Sequence, residues 1–222
     1  MNIYITTPIY YTNDIPHIGH AYTTIACDII ARYYKLSNKN VFFLTGTDEH
    51  GQKVEKAAKE ANIEPKEFVD KLSLNFEKLI PFLGCEINDF IRTTEKRHIN
   101  SAQSLWNKLI ENDQIYLSNY EGWYSVRDEA FYQESELIKV NNHYTTQNGS
   151  PVEWVKEESY FFKLSKWQNK LKEFYEKNPD RVLPKSRYNE VLSFINSGLK
   201  DLSISRTTFK WGVPVPNNNK HV

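Results

Sequence analysis

The chain has 222 residues, of which 40% are hydrophobic, 14% aromatic and 25% charged. These are globular values, and no run approaches the roughly 18 apolar residues of a membrane span, so disorder and membrane spanning are excluded. With only Cys27 and Cys85 and no CxxC, a disulfide framework and a thiolate zinc site are excluded as well. The 28 basic and 28 acidic residues cancel overall but not locally. Residues 112–160 hold 3 basic against 9 acidic side chains and 161–222 hold 12 against 5. The basic tail suits a solvated helix face or an anionic partner. The N-terminus has neither a basic stretch nor an apolar core of a signal peptide, which makes a cytoplasmic protein the expectation.

Ile3 to Thr7 is β-branched and aromatic and runs into Pro8, Asn13, Asp14 and Pro16, which predicts a strand leaving into a loop. Ala21, Ile25, Ile29 and Tyr33 recur every fourth residue with Ala26 and Ile30 beside them, predicting an amphipathic helix over 18–36 with that face inward. Val41 to Leu44 is an unbroken apolar run ending at Gly46 and predicts a strand covered on both faces. Strand, helix and strand at this spacing make a βαβ unit with a parallel pair. Helices are expected over 53–61 and 65–83, the second with Phe68, Leu72, Phe76 and Leu79 on one side. A third strand over 89–92 and a helix over 95–110 capped by Thr94 follow. Between 114 and 154 the chain breaks into short aromatic pieces punctuated by Gly122 and Asn148-Gly149-Ser150-Pro151, which predicts hairpins and an insertion. Helix returns over 159–177, with Phe162, Trp167, Leu171 and Phe174 as its core side.

Two constellations carry chemistry. His17-Ile18-Gly19-His20 opens the first helix, and the two imidazoles lie one turn apart where free backbone N–H groups and the helix dipole favour anions. Gly19 leaves room for a ligand such as phosphate to press close. The same spacing also suits a cap by His17 and an ordinary half-buried His20. A zinc site on the pair lacks a third ligand. Thr45-Gly46-Thr47-Asp48-Glu49-His50-Gly51 ends the second strand, where open α/β sheets bind ligands, and sets three titratable groups on one glycine-flanked loop. A polar turn without chemistry is the alternative there. The eight glycines form neither GxGxxG nor GxxxxGK[ST], so a dinucleotide fingerprint and a P-loop are both absent.

TTPIYYTN at 6–13, PHIGHAY at 16–22, FFLTGTDEHG at 42–51, FFKLSKW at 161–167 and ISRTTFKWGVPVP at 204–216 together resemble the class I aminoacyl-tRNA synthetases of the methionyl type. The resemblance runs from end to end. It implies an α/β fold class: the first half of a Rossmann-like parallel-sheet catalytic fold, residues 1–112, a mixed α+β connective insertion over 113–200, and a return segment over 201–222 towards a second half. The implied reaction is ATP-dependent formation of methionyl adenylate and transfer of methionine to tRNA. By the same resemblance His17, Gly19 and His20 contact ATP, with His17, His20 and Arg206 serving the transition state. Pro8, Ile9, Tyr11 and Asp48 hold methionine, Asp48 taking its ammonium. ATP is a substrate accompanied by Mg²⁺.

Departures from the pattern are equally informative. Residues 121–133, where many members carry zinc knuckles, have no cysteine, so no structural zinc is expected. Lys163 to Trp167 imitates the family's KMSKS loop but matches an element of the insertion instead. The true loop, the segment that completes the methionine pocket and the anticodon-binding domain have no counterpart, so this chain alone is expected to be inactive and weak towards tRNA. A second chain supplying the other half is one partner to expect. An inactive remnant, or a module that binds ATP or methionine, is the alternative.

Overall fold

The computed structural model describes residues 1–128, 130–132, 134–140 and 143–222. The chain forms two compact units, 1–104 with 209–214 and 105–208 with 215–222. The segment assigned to the return path, 201–222, has residues in both units. The first unit runs β1 (Asn2–Thr6), β2 (Tyr10–Tyr11), α1 (Ile18–Leu36), β3 (Asn40–Asp48), α2 (Gln52–Glu60), α3 (Pro65–Phe82), β4 (Asp89–Arg92) and the start of α4 (Lys96–Glu111).

β3 is the spine of a parallel sheet. β1 lies along its first half, from Asn2 opposite Asn40 to Thr6 opposite Leu44, and β2 continues the same line with Tyr10 opposite Thr47 and Tyr11 opposite Asp48. β4 pairs on the other side, Leu44 to Thr47 facing Asp89 to Arg92. Gly46 is required here: a Cβ on it would lie 1.9 Å from the Ile91 carbonyl oxygen, so β3 and β4 approach only because the side chain is missing.

The core joins Ala31, Val41 and Phe43, with Ile3, Ile5, Cys27, Tyr34 and Ile87 packed around them. The helix over 18–36 forms as expected, but its buried face is Ala21, Thr24, Asp28 and Ala31 rather than Ala21, Ile25, Ile29 and Tyr33. Small side chains let α1 lie close on β1 and β3, and Asp28 is satisfied by Arg32 and by the Glu86 backbone N–H. Ile25, Ile29 and Tyr33 are exposed. On α3 the buried residues are Val69, Ser73, Phe76 and Ile80, so only Phe76 of the expected set is fully inside. β3 is covered on one face in its first half, where Val41 and Phe43 are buried while Phe42 is exposed. α4 begins at Lys96, two residues beyond Thr94, whose hydroxyl donates to Glu49.

The second unit is built on an antiparallel sheet. β5 (Ile115–Ser125) and β9 (Glu153–Phe162) form its long pair, flanked by β6 (Ala130–Tyr132) and β10 (Leu202–Ser203) in the order β10-β9-β5-β6. A separate hairpin joins β7 (Ile138–Val140) to β8 (His143–Thr145). The hairpin-rich insertion is therefore present, and β10 draws 202–203 into it. The helix expected over 159–177 is shorter: Ser159 to Phe162 ends β9, Leu164–Trp167 is a 3₁₀ turn, and α5 spans only Gln168–Lys177. Alternate burial of Glu157, Ser159 and Phe161 shows the strand period that the aromatic residues concealed. α6 (Lys185–Asn196) packs on α5. No helix among the described residues is long and apolar enough to cross a membrane.

Candidate functional site

β2 is the hinge of the site in the first unit. After β1, the Thr7 hydroxyl meets that of Thr45 at 2.6 Å, and the Thr12 backbone N–H and hydroxyl both donate to the Asp48 carbonyl at 3.1 Å. These bonds fold the loop of Pro8 and Ile9, both exposed, back along the end of β3 and set half-buried Tyr11 opposite half-buried Asp48. The Lys53 ammonium lies over the Tyr11 ring, 5.7 Å from its centre.

The loop delivers the chain to α1 at His17, whose extended backbone begins the helix. The Gly19 N–H donates to His17 Nδ1 at 3.1 Å, and the His17 N–H donates to His20 Nδ1 at 3.0 Å. This reciprocal arrangement is a capping box made of two histidines. The capping reading is thus correct for His17, and it has a chemical consequence. With both Nδ1 atoms accepting, each neutral ring carries its proton on Nε2 and presents Nε2–H as a donor at a helix N-terminus. The ring centres are 3.9 Å apart. Burial pushes the His20 pKa below its ordinary value and the charge of His17 pushes it the same way, which favours the neutral form. Gly19 is explained by the cap: a Cβ there would sit 2.9 Å from His17 Cε1, so the glycine makes room for the neighbouring imidazole.

Asp48, Glu49 and His50 separate into three roles. Glu49 is fully buried and accepts from the Arg92 guanidinium at 2.6 and 3.0 Å, from Thr47 at 2.6 Å and from Thr94 at 2.5 Å. Burial works against the Arg92 charge, but its bonds to Glu49 and Asp70 outweigh this and raise its pKa. His50 is pushed down to about 4 by burial; Glu49 draws it back up and His98 presses it down. It packs on Trp211, with ring centres 5.4 Å apart. Asp48 remains at the strand end beside Tyr11.

Sequence reasoning missed the clasp made by 209–214. The Trp211 indole donates to the Glu49 carbonyl at 2.5 Å and the Gly51 N–H donates to the Trp211 carbonyl at 3.0 Å, which ties down the loop after β3. No local pattern links residues 160 positions apart. Arg206 lies in the second unit, where it donates to the Ser203 hydroxyl and the Ser205 carbonyl at 2.8 Å and faces Glu157 at 3.8 Å. Among the described residues no group of three or more His, Cys, Asp or Glu is placed to hold a metal ion.

Over residues 3–149 and 136–222 the sequence matches the family described as tRNA synthetases class I (M). It is 64% identical over 219 residues to methionine–tRNA ligase of Rickettsia prowazekii, covering 99% of this chain and 42% of that protein. Methionine–tRNA ligase of Mesorhizobium japonicum is 54% identical over 220 residues, with 99% and 43% covered. The structure of Mycobacterium tuberculosis methionyl-tRNA synthetase in complex with methionyl-adenylate superposes with a TM-score of 0.95 at 47% identity, covering 100% of this chain and 44% of that one. The chain spans about two fifths of the length of these relatives.

Proposed function

The chain belongs to the methionine-type class I tRNA synthetases, and from that premise we propose that its first unit binds ATP and methionine for the formation of methionyl adenylate. The carrying observation is the pair of imidazoles 3.9 Å apart at the start of α1, each with Nδ1 occupied by a backbone N–H. Two Nε2–H donors at the positive end of a helix suit the polyphosphate of ATP. As a methionine carboxylate oxygen attacks the α-phosphorus, the bond to pyrophosphate breaks and negative charge grows on the phosphate oxygens. Donors fixed beforehand stabilise that charge without reorganising.

Asp48 receives the methionine ammonium, while Pro8, Ile9 and Tyr11 line the thioether chain, whose soft sulfur suits aromatic and aliphatic walls. Gly19 contacts ATP through the cap it allows. Mg²⁺ accompanies the nucleotide in this reading. Structural zinc is absent from this reading, for 121–133 has no cysteine. Transfer of methionine to tRNA belongs to the whole protein. Zero net charge makes this chain alone a weak tRNA binder. The free thiols of Cys27 and Cys85 suit a reducing compartment such as the cytoplasm.

The test is calorimetric binding of ATP and of methionine to the purified chain, followed by methionine-dependent ATP–pyrophosphate exchange. Binding of both ligands that is lost in His17→Ala and His20→Ala for ATP, and in Asp48→Ala for methionine, supports the reading. Binding without exchange identifies a binding module, and no binding of either ligand overturns the proposal.

A further inference from the structure

Three side chains around His20 have no part in the reaction as proposed: Tyr10, Thr24 and Phe76. The Tyr10 ring stands edge-on to the His20 imidazole with centres 4.8 Å apart, and Phe76 meets it at 5.1 Å and 78°. Tyr10 and Phe76 also stack on each other at 5.6 Å. Both rings are buried, Phe76 completely. The Thr24 hydroxyl donates to the His20 carbonyl at 2.9 Å. The Tyr10 hydroxyl shares a hydrogen bond with Thr24 Oγ1 at 2.7 Å and also reaches the His20 carbonyl at 3.4 Å.

We infer that Phe76, together with Tyr10, is a positioning residue for His20, fixing the imidazole plane so that Nδ1 meets the His17 N–H and Nε2–H faces the phosphate site. An imidazole turns easily about its second side-chain torsion, and a half-turn exchanges Nδ1 with a carbon. One backbone hydrogen bond at 3.0 Å opposes that flip on a half-buried residue. Two aromatic rings from separate elements restrict it further, since edge-to-face contacts are directional. The Tyr10–Thr24 relay holds the backbone of the same residue. Phe76 projects from α3, so it links α3 to the histidine pair. The same rings keep water from the imidazole, in keeping with its lowered pKa, to which the neighbouring His17 also contributes.

The inference rests on the ATP reading above for its purpose but not for its geometry, and the experiment separates the two. Histidine-labelled chain is studied by side-chain nitrogen NMR in wild type, Phe76→Leu and Phe76→Met, with ATP and methionine binding measured on the same samples. The methionine variant also lacks a ring, and its flexible unbranched chain adapts to the gap, so it serves if the leucine variant is poorly folded. In wild type, His20 should show the Nε2–H tautomer and titrate below its ordinary value. Both variants should show mixed tautomers and a titration moved upward, with ATP affinity reduced about tenfold, as for a misaligned donor, and methionine affinity unchanged. If a folded variant keeps the wild-type tautomer and titration, Phe76 is packing only and the inference fails. If no sample binds ATP while the His20 signals change as stated, the positioning stands and the ATP reading falls.

Discussion

Arg92 and Glu49 form a two-pronged ion pair, Nε to Oε1 at 2.6 Å and Nη2 to Oε2 at 3.0 Å, that locks the end of β3 to the end of β4. Arg92 reaches Asp70 on α3 at 2.6 Å as well. The neighbour of Asp48 is therefore the best anchored residue of the loop, which fixes the backbone from which Asp48 projects.

Breaking that pair by removing one partner leaves a buried carboxylate uncompensated. Arg92→Gln should destabilise the chain by about 3–5 kcal/mol, whereas an exposed pair such as Lys71 and Glu67 contributes about 1 kcal/mol or less. Urea unfolding of Arg92→Gln beside Lys71→Gln measures the difference, and equal midpoints would refute the keystone role of Arg92.

The two constrained glycines should fail differently. In Gly46→Ala the new methyl meets backbone, the Ile91 carbonyl, which cannot yield without parting β3 from β4. A loss of about 3 kcal/mol or more is expected, at the upper end for overpacking. In Gly19→Ala the methyl meets the His17 ring, which can swing away and surrender its cap at about 1 kcal/mol. Thermal melting should rank Gly46→Ala well below Gly19→Ala, and ATP binding should be weakened in Gly19→Ala while the protein stays folded. A reversed ranking would contradict the geometry.

His50 sets a pH dependence of stability. Its pKa is about 4 in the fold and ordinarily near 6.5, so between these values the unfolded chain binds the extra proton. Stability therefore falls as pH drops from 6.5 towards 4, with a slope of at most about 1.4 kcal/mol per pH unit for one proton. His20, also lowered, acts with the same sign. Urea midpoints taken from pH 7.5 to 4.5 should show a shallower slope in His50→Gln than in wild type. Identical slopes would remove His50 from the account.

The framework of the first unit was legible because β-branched runs and fourfold spacing encode strands and helices directly. Ile3 to Thr7, 18–36 and 89–92 all emerge within a residue or two. The two-histidine cap was legible because it is local, its members three residues apart. Burial was not, since the apolar side of α1 does not face the sheet in this chain and nothing in periodicity says which side will be covered. Glu49 reads from sequence as one of three equal acids and bases, yet its role depends on Arg92 and Thr94, more than forty residues away. Trp211 and Phe76 were invisible as site residues for the same reason, and 159–162 looked helical because its aromatic content masked a period of two.

In the insertion, Asp128 accepts from the Ser150 hydroxyl at 2.9 Å and the Tyr132 hydroxyl at 3.1 Å, and the Ser125 hydroxyl accepts from its backbone N–H at 3.2 Å. Burial would raise the Asp128 pKa, but hydrogen bonds from Ser150, Tyr132, Ser125 and Thr146 lower it instead. This carboxylate ties the turn after β5 to the turn after β8. Asp128→Ala should speed amide exchange at Ser150, with the first unit unaffected, and elemental analysis of wild type should find no stoichiometric zinc. One zinc per chain, or unchanged exchange at Ser150 in the variant, would overturn this account of what holds the insertion.

Tyr4 and Phe42 are register partners, stack with ring centres 6.0 Å apart and remain 62% and 46% exposed. Among the described residues no strand pairs with the outer edge of β1. A free parallel edge next to exposed aromatic side chains is a template for pairing with another chain. The purified chain should therefore self-associate at micromolar concentrations and bind a hydrophobic dye in its folded state. Tyr4→Lys with Phe42→Glu places opposite charges across the same strand pair and should reduce both effects. The pair stands mostly in water, so stability should change by about 1 kcal/mol or less. Sedimentation velocity over a range of concentrations decides the matter. A wild-type chain that stays monomeric, or a double variant that associates as strongly, would show that this face and edge do not drive assembly.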